Sequence, residues 1–155
     1  DRNDIFEIYS IRSVLEAFAI RLACIRATDE EIRELEELYD QMIIKLDDEN
    51  VISLSKYSVK IHESIILMSK HERLMQLNDI IAFQVNIVNR ILGMKYTKQQ
   101  EVDEHKELIE VIKTRNSEIA EEVMRKHIFR SYQIFVDSYK DDNSSENNNV
   151  EFFPI

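Results

Sequence analysis

An antiparallel bundle of six to seven helices is the architecture this sequence predicts, and three observations carry it. One glycine and one proline in 155 residues leave too few corner-forming residues for a strand-and-turn fold. Apolar residues, 44% of the chain, return every three or four positions, which is the helical period. Charged residues, 32%, fill the intervals between them, as on helices that show one face to a core and the other to water. The length fits one domain, able to bury roughly 70% of the surface its unfolded chain exposes.

The elements follow in order. Helix one runs from about Asp4 to Ala27, with Ile5, Ile8, Ile11, Leu15, Phe18, Leu22 and Ile25 as its expected apolar stripe. Thr28-Asp29-Glu30-Glu31 reads as a capping box, so helix two spans about Asp29 to Leu46 on Ile32, Leu35, Leu38, Met42 and Leu46. Asp47-Asp48-Glu49-Asn50 ends it. Helix three, about Val51 to Ser69, aligns Leu54, Ser58, Ile61, Ile65 and Met68, with His62 at the edge of that face. Helix four, about Glu72 to Leu92, is apolar on several sides and is expected to be central. Gly93 follows it where a left-handed cap is wanted.

Helix five, about Lys98 to Lys113, carries Val102, His105, Ile109 and Ile112. Asn116 can N-cap helix six, whose inward residues are Ile119, Ala120, Val123, Met124, His127, Ser131 and Ile134. The first 140 residues form the domain. Residues 141–155 form a tail, its polar part Asp141 to Asn149 disordered and its apolar end Val150 to Ile155 able to dock on the bundle.

Charge and composition exclude several functions. A net charge of −10 repels phosphate backbones and anionic lipid, so this domain by itself binds neither nucleic acid nor membrane. The single Cys24 cannot form an internal disulfide and fits a reducing cytoplasm. No apolar run approaches the ~20 residues that cross a bilayer, and Asp1-Arg2-Asn3-Asp4 does not open a signal peptide, so a cytoplasmic protein is expected. One glycine cannot build a glycine-rich phosphate loop. The Glu-x-x-His pairs of di-iron bundles fail too, because Val59, Val102 and Met124 stand where glutamate is needed.

What remains is histidine. His62, His105 and His127 fall on the inward faces of three different helices, and a break at Asn116 lets the last two helices fold back on each other. A lone histidine on an apolar face is ordinarily a hydrogen-bonded core residue. Three without a matching set of buried carboxylates are costly unless they share a metal. The alternative is three separate rings, bonded to backbone carbonyls or to one another through water. His71, at a helix junction, reads as exposed or capping. Arg12 precedes Glu16 by four residues: either a surface ion pair or, pointing inward, a carboxylate clamp beside the histidines. Arg90 carries the same two readings.

Together these motifs resemble a known family. Arg12-x-x-Leu15-Glu16-x-x-Ala19-x-x-Leu22-Ala23 and Thr28-x-x-Glu31-Ile32-x-x-Leu35 resemble the opening of the FCD effector domain of FadR-type GntR transcription regulators. Ile61-His62-x-x-Ile65 is similar to its histidine motif. Glu104-His105-x-x-Leu108-Ile109-x-x-Ile112, with Ala120, Met124 and His127, is similar to its closing motif, including the interval of 22 residues between histidines. The resemblance implies a helical bundle that dimerises, holds a divalent metal and binds a small carboxylate metabolite. It also implies a winged helix-turn-helix DNA reader on the N-terminal side, which is not in this chain.

Under that resemblance His62, His105 and His127 hold zinc or nickel, Arg12, Ser58 and Arg90 face the effector, and the protein is not an enzyme. One departure matters: metal-binding members carry Asp where Ser58 stands, which removes an anionic ligand. Some relatives bind acyl-thioesters without a metal. Two other classes of function remain open: a small three-histidine metalloenzyme, a hydrolase whose base would be Glu63, Asp103 or Glu104 turned inward, and a metal-free interaction bundle.

Overall fold

The computed structural model describes residues 2–48, 51–92, 97–138 and 153–154. Six α-helices account for nearly all of them: α1 Arg2–Arg26, α2 Asp29–Ile44, α3 Val51–Met68, α4 Glu72–Leu92, α5 Lys98–Lys113 and α6 Ser117–Ser138, with a 3-10 turn Lys45–Asp47 closing α2. No strand occurs among the described residues. The fold is an all-α bundle in which α1 lies along α6 and also meets α3 and α4, while α2 packs on α3 and α5.

Caps set the helix starts. Thr28 Oγ1 accepts from the Glu31 amide at 3.1 Å while Glu31 Oε2 accepts from the Thr28 amide at 2.7 Å, the reciprocal box the sequence announces. A second box, Thr97 with Gln100, starts α5 and was not anticipated. Asn116 Oδ1 accepts from the Ile119 amide, and His71 Nδ1 from the Leu74 amide, both at 3.2 Å. His71 is therefore a capping residue, outside the histidine cluster.

Two helix ends turn through left-handed residues that are not glycine, Lys70 (φ 49°) and Arg115 (φ 58°). Such residues cost about 1 kcal/mol relative to glycine, and both side chains are anchored. Lys70 Nζ donates to the Arg26 carbonyl at 3.0 Å, and Arg26 returns a bond to the Ser69 carbonyl at 2.8 Å. Arg115 donates to the Ala27 carbonyl at 2.5 Å and pairs with Asp29 at 2.7 Å. These bonds put the C-termini of α1, α3 and α5 at one end of the bundle, so consecutive helices alternate in direction.

The stripe expected on α1 is not the buried face over most of the helix, where Ile5 is buried but Ile8, Leu15 and Leu22 are half-buried. Ile11, Phe18 and Ile25 are 50%, 43% and 66% exposed, whereas Tyr9, Arg12, Ser13, Glu16, Ala17, Ala19, Ile20, Ala23 and Cys24 are buried. The reason is steric. A face of small residues lets α6 approach the α1 backbone closely, and bulky side chains cannot occupy that seam. Helix α4 also differs from expectation. Leu77, Ile80, Phe83 and Ile87 are exposed while Leu74, Val85 and Val88 are buried, so α4 is an outer helix with an uncovered apolar face rather than a central one.

Arg90 lies on α4 where side chains are outside the described residues, as do Gly93 and the segment 141–149. Of the tail, Phe153 is buried against Phe6, Phe129 and Tyr132, its ring 5.0 Å from that of Tyr132. The Pro154 carbonyl accepts from Ser13 and Arg125 at 3.1 and 3.2 Å.

The inverted face of α1 gives an opposing pair of outcomes. Ala23→Leu should overpack the seam and lower unfolding free energy by about 1–3 kcal/mol. Ile25→Gln should change it by less than about 0.5 kcal/mol. Urea denaturation at constant m-value checks both, and the reverse ranking would restore the apolar-stripe reading.

Candidate metal centre

The core gathers its polar groups in one place. Helix α3 contributes Ser58 and His62, α5 contributes His105, α6 contributes His127, and α1 contributes Arg12 and Glu16, all of them buried. Four-residue spacing puts Ser58 above His62 on one face of α3, and Arg12 above Glu16 on one face of α1. One nitrogen from each of the three imidazoles lies within 4.8 Å of the other two, and the ring centroids are 4.9–5.2 Å apart.

Hydrogen bonds fix which nitrogen of each ring faces the centre. His62 Nδ1–H donates to Glu16 Oε2 at 2.5 Å, which turns its Nε2 toward the centre. His105 Nδ1–H donates to the Glu101 carbonyl at 2.7 Å, and its Nε2 accepts from the Ser58 hydroxyl at 2.9 Å. His62 Nε2 lies 3.1 Å from His127 Nε2. If Glu16 holds the one ring proton of His62 on Nδ1, the proton of this contact sits on His127 Nε2. Its Nδ1 is then bare, buried and without a hydrogen bond, 3.5 Å from Glu104 Oε2.

The histidines do have a buried carboxylate partner, contrary to expectation. Glu16 bonds Arg12 Nε at 2.6 Å on one oxygen and His62 on the other. Burial alone would raise its pKa, but Arg12 and His62 hold it down at about 2. Arg12 is not the surface ion pair of its first reading and points inward beside the histidines. It is buried, its carboxylate partner is internal, and its guanidinium carbon sits 5.5 Å from the centre of the Tyr9 ring. Burial pushes Tyr9 up to about 12.

Burial also pushes His105 down to about 4, aided by His62 and opposed by Glu101, and His127 well below the ordinary histidine value, aided by His105 and His62. Glu104 is pushed up to about 6 by burial, with Arg130 opposing. Burial that disfavours the charged form at His105 and His127 favours the neutral imidazole that a transition metal requires. The orphaned His127 Nδ1 adds to the fit, because a metal on Nε2 would put a proton there. His62, His105 and His127 could therefore share one metal ion.

A small half-open cleft between α1, α3 and α4 reaches His62 from solvent. Its walls include Arg12, Glu16, His62, Glu63, Asn78 and Asn86. Ser58 faces the cluster, through His105. Tyr9 is the site residue that sequence reasoning missed, and that reasoning left open whether Glu16 and Glu104 turn inward. An Arg–Glu pair at i,i+4 among Ser13, Ala17, Ala19 and Ala23 was the available signal for Glu16.

The chain belongs to the FCD domain family, whose description matches residues 7–130. It is 33% identical over 79 residues to the Nta operon transcriptional regulator of Aminobacter aminovorans, covering 49% of this chain and 36% of that protein. It is 31% identical over 136 residues to the uncharacterized HTH-type transcriptional regulator YdhC of Bacillus subtilis, covering 80% of this chain and 56% of that protein. The chain thus spans between about a third and just over half of the length of the curated relatives it matches.

Acid should destabilise the metal-free protein early. Unfolded histidine takes a proton near pH 6.5, whereas folded His105 takes one only near pH 4. Unfolding therefore binds protons, and stability falls as pH drops from about 6.5 toward 4, on the order of 3 kcal/mol from His105 alone. Glu104 opposes this between about pH 6 and 4.5, being protonated sooner in the folded state. Glu16 extends the loss from about 4.5 toward 2. Urea midpoints across this range should show the fall, steeper in Glu104→Gln; a flat profile between pH 7 and 5 would contradict neutral buried rings.

Proposed function

We propose that this FCD domain is the effector-binding and dimerisation unit of a cytoplasmic transcription regulator. In this reading His62, His105 and His127 hold a divalent metal, zinc or nickel, and a small carboxylate metabolite completes its coordination. One observation carries the reading: His62 belongs both to the buried histidine cluster and to the wall of a cleft that opens to solvent. The bound metal supplies the positive charge that attracts and orients a carboxylate. Arg12 cannot be that charge unaided, because Glu16 already balances it. Its part is to hold Glu16, with the edge of the guanidinium lining the cleft.

Helix α4 links this site to assembly. Asn78, Ala82, Val85 and Asn86 on its inner side line the cleft, while Leu77, Ile80, Phe83 and Ile87 lie exposed. Helix α1, packed beside it, adds exposed Ile11, Val14 and Phe18. Monomeric proteins rarely leave this much apolar surface uncovered, and a second copy of the chain is the occupant we assign to it. An effector bound against α4 then biases the arrangement of two subunits by its differential affinity for their states. DNA contact belongs to a reader domain outside this chain, and α1 to α6 act by setting the spacing of two such readers.

An enzyme is a poorer reading of the same site. Glu104, the inward carboxylate with a pKa suited to a base, lies beside the outer nitrogen of His127, behind the ring and away from the centre. No helix of the described residues is long and apolar enough to cross a membrane.

A thermal-shift panel of small mono- and dicarboxylates, with and without zinc, tests the proposal. Melting temperature should rise with zinc and rise again with the matching carboxylate only when zinc is present. Ser58→Asp adds a charged ligand beside His105 and should tighten zinc by at least about tenfold in chelator competition, roughly 1.4 kcal/mol. Zinc that leaves the wild type and Ser58→Asp unchanged, or an ester panel hydrolysed and then inhibited by chelator, would overturn it. For the assembly, sedimentation equilibrium should give a dimer at tens of micromolar, on the order of ordinary dimer affinities. Phe83→Asp should give a folded monomer, and a monomeric wild type would refute the α1–α4 interface.

A further inference from the structure

Two of the three imidazoles are approached on the side away from the centre by a carboxylate, and each carboxylate is backed by an arginine. Arg12, Glu16 and His62 form a closed chain, with contacts of 2.6 and 2.5 Å. Arg130, Glu104 and His127 form the same chain left open. Arg130 Nε lies 3.3 Å from Glu104 Oε1, and Glu104 Oε2 lies 3.5 Å from His127 Nδ1. Both nitrogens in this second chain are buried and make no hydrogen bond. The third ring, His105, is held by a backbone carbonyl instead.

We propose that Glu16 and Glu104 are positioning residues of the metal centre, and that the Arg130–Glu104–His127 chain closes only when His127 exchanges one tautomer for the other on metal binding. This rests on reading the three histidines as the metal's ligands. His62 and His105 already present a bare Nε2 to the centre, because Glu16 and the Glu101 carbonyl hold their protons on Nδ1. His127 does not. With a single proton on His62, held at Nδ1, the 3.1 Å contact between the two Nε2 atoms takes its proton from His127, and a metal cannot share that nitrogen with a proton.

Loading therefore requires the ring proton of His127 to leave Nε2 and a proton to be placed on Nδ1, with no net gain or loss by the ring. The Nδ1–H so formed points toward Glu104, the nearest carboxylate, and completes a carboxylate–histidine–metal arrangement. The bond lost between His62 and His127 is offset by the one gained between His127 and Glu104. Glu16 thus acts in both states, and Glu104 acts in the loaded state alone.

The decisive measurements use the full chain with zinc as the only added probe. Chelator competition should show zinc affinity reduced about 10–100-fold in Glu104→Ala. Glu104→Gln, which keeps an acceptor oxygen, should recover part of the loss. Glu107→Gln removes the exposed partner of Arg130 and should leave affinity unchanged. Nitrogen-15 spectra of labelled histidine should show the protonated nitrogen of one ring moving from Nε2 to Nδ1 on zinc addition, while two rings keep theirs. A purely structural Glu104 would lower the stability of the metal-free protein and leave that spectral change intact. Zinc bound with equal affinity by wild type and Glu104→Ala, or bound with no tautomer change, would overturn the inference while sparing the metal site. Absence of zinc binding by the wild type would overturn the site itself, and the inference with it.

Discussion

The structure is organised around one buried carboxylate. Glu16 is removed from water on a helix face otherwise made of alanine, serine and aliphatic side chains, a placement that costs several kcal/mol unless the charge is paired and hydrogen-bonded. Arg12 and His62 do both. That requirement constrains three helices at once. The face of α1 carrying Arg12 and Glu16 must turn inward, α3 must bring His62 to it, and α6 must meet α1 closely enough for His127 to reach His62. Breaking the pair by removing either partner would leave an isolated buried charge, which is far worse than replacing both.

Much of this was legible in the sequence, though unevenly. The periods of α3, α5 and α6 placed His62, His105 and His127 inward because those helices bury large aliphatic residues beside them. The period of α1 misled, because hydrophobicity was counted and size was not. Its buried seam is built from Ala17, Ala19, Ala23 and Cys24, whose value lies in letting another backbone come near. The burial of Glu16 was left open for a related reason: an i,i+4 Arg–Glu pair looks the same on a solvated surface and in a core, and only the neighbouring alanines distinguish them. Helix α4 looked central because it is apolar on several sides, when its outer apolar residues in fact face away from the rest of the bundle. A single chain's sequence does not say whether an apolar face meets its own core or another molecule.

That ambiguity at α4 has a physical counterpart. A helix with a polar cleft on one side and uncovered aliphatic and aromatic groups on the other belongs to two environments at once. Packed interiors are stiff at the scale of a methyl group, so a helix held on its inner side by a filled cleft cannot present its outer side unchanged. Coupling between the two sides needs no long pathway of residues, only one rigid element that both of them touch.

The anchored turns at Lys70 and Arg115 have a further consequence for the electric field inside the molecule. They bring the C-termini of α1, α3 and α5 together with the starts of α2, α4 and α6. Each helix carries roughly half an elementary charge of opposite sign at its two ends. In this arrangement unlike poles lie side by side, and their far fields cancel. No net dipole runs along the bundle toward the histidines. The potential at the cluster is therefore set by individual side chains, the two arginine–glutamate pairs and nearby carboxylates such as Glu101, which opposes the effect of burial on His105. A change of charge at any of them is felt at the centre, because the core between screens it little.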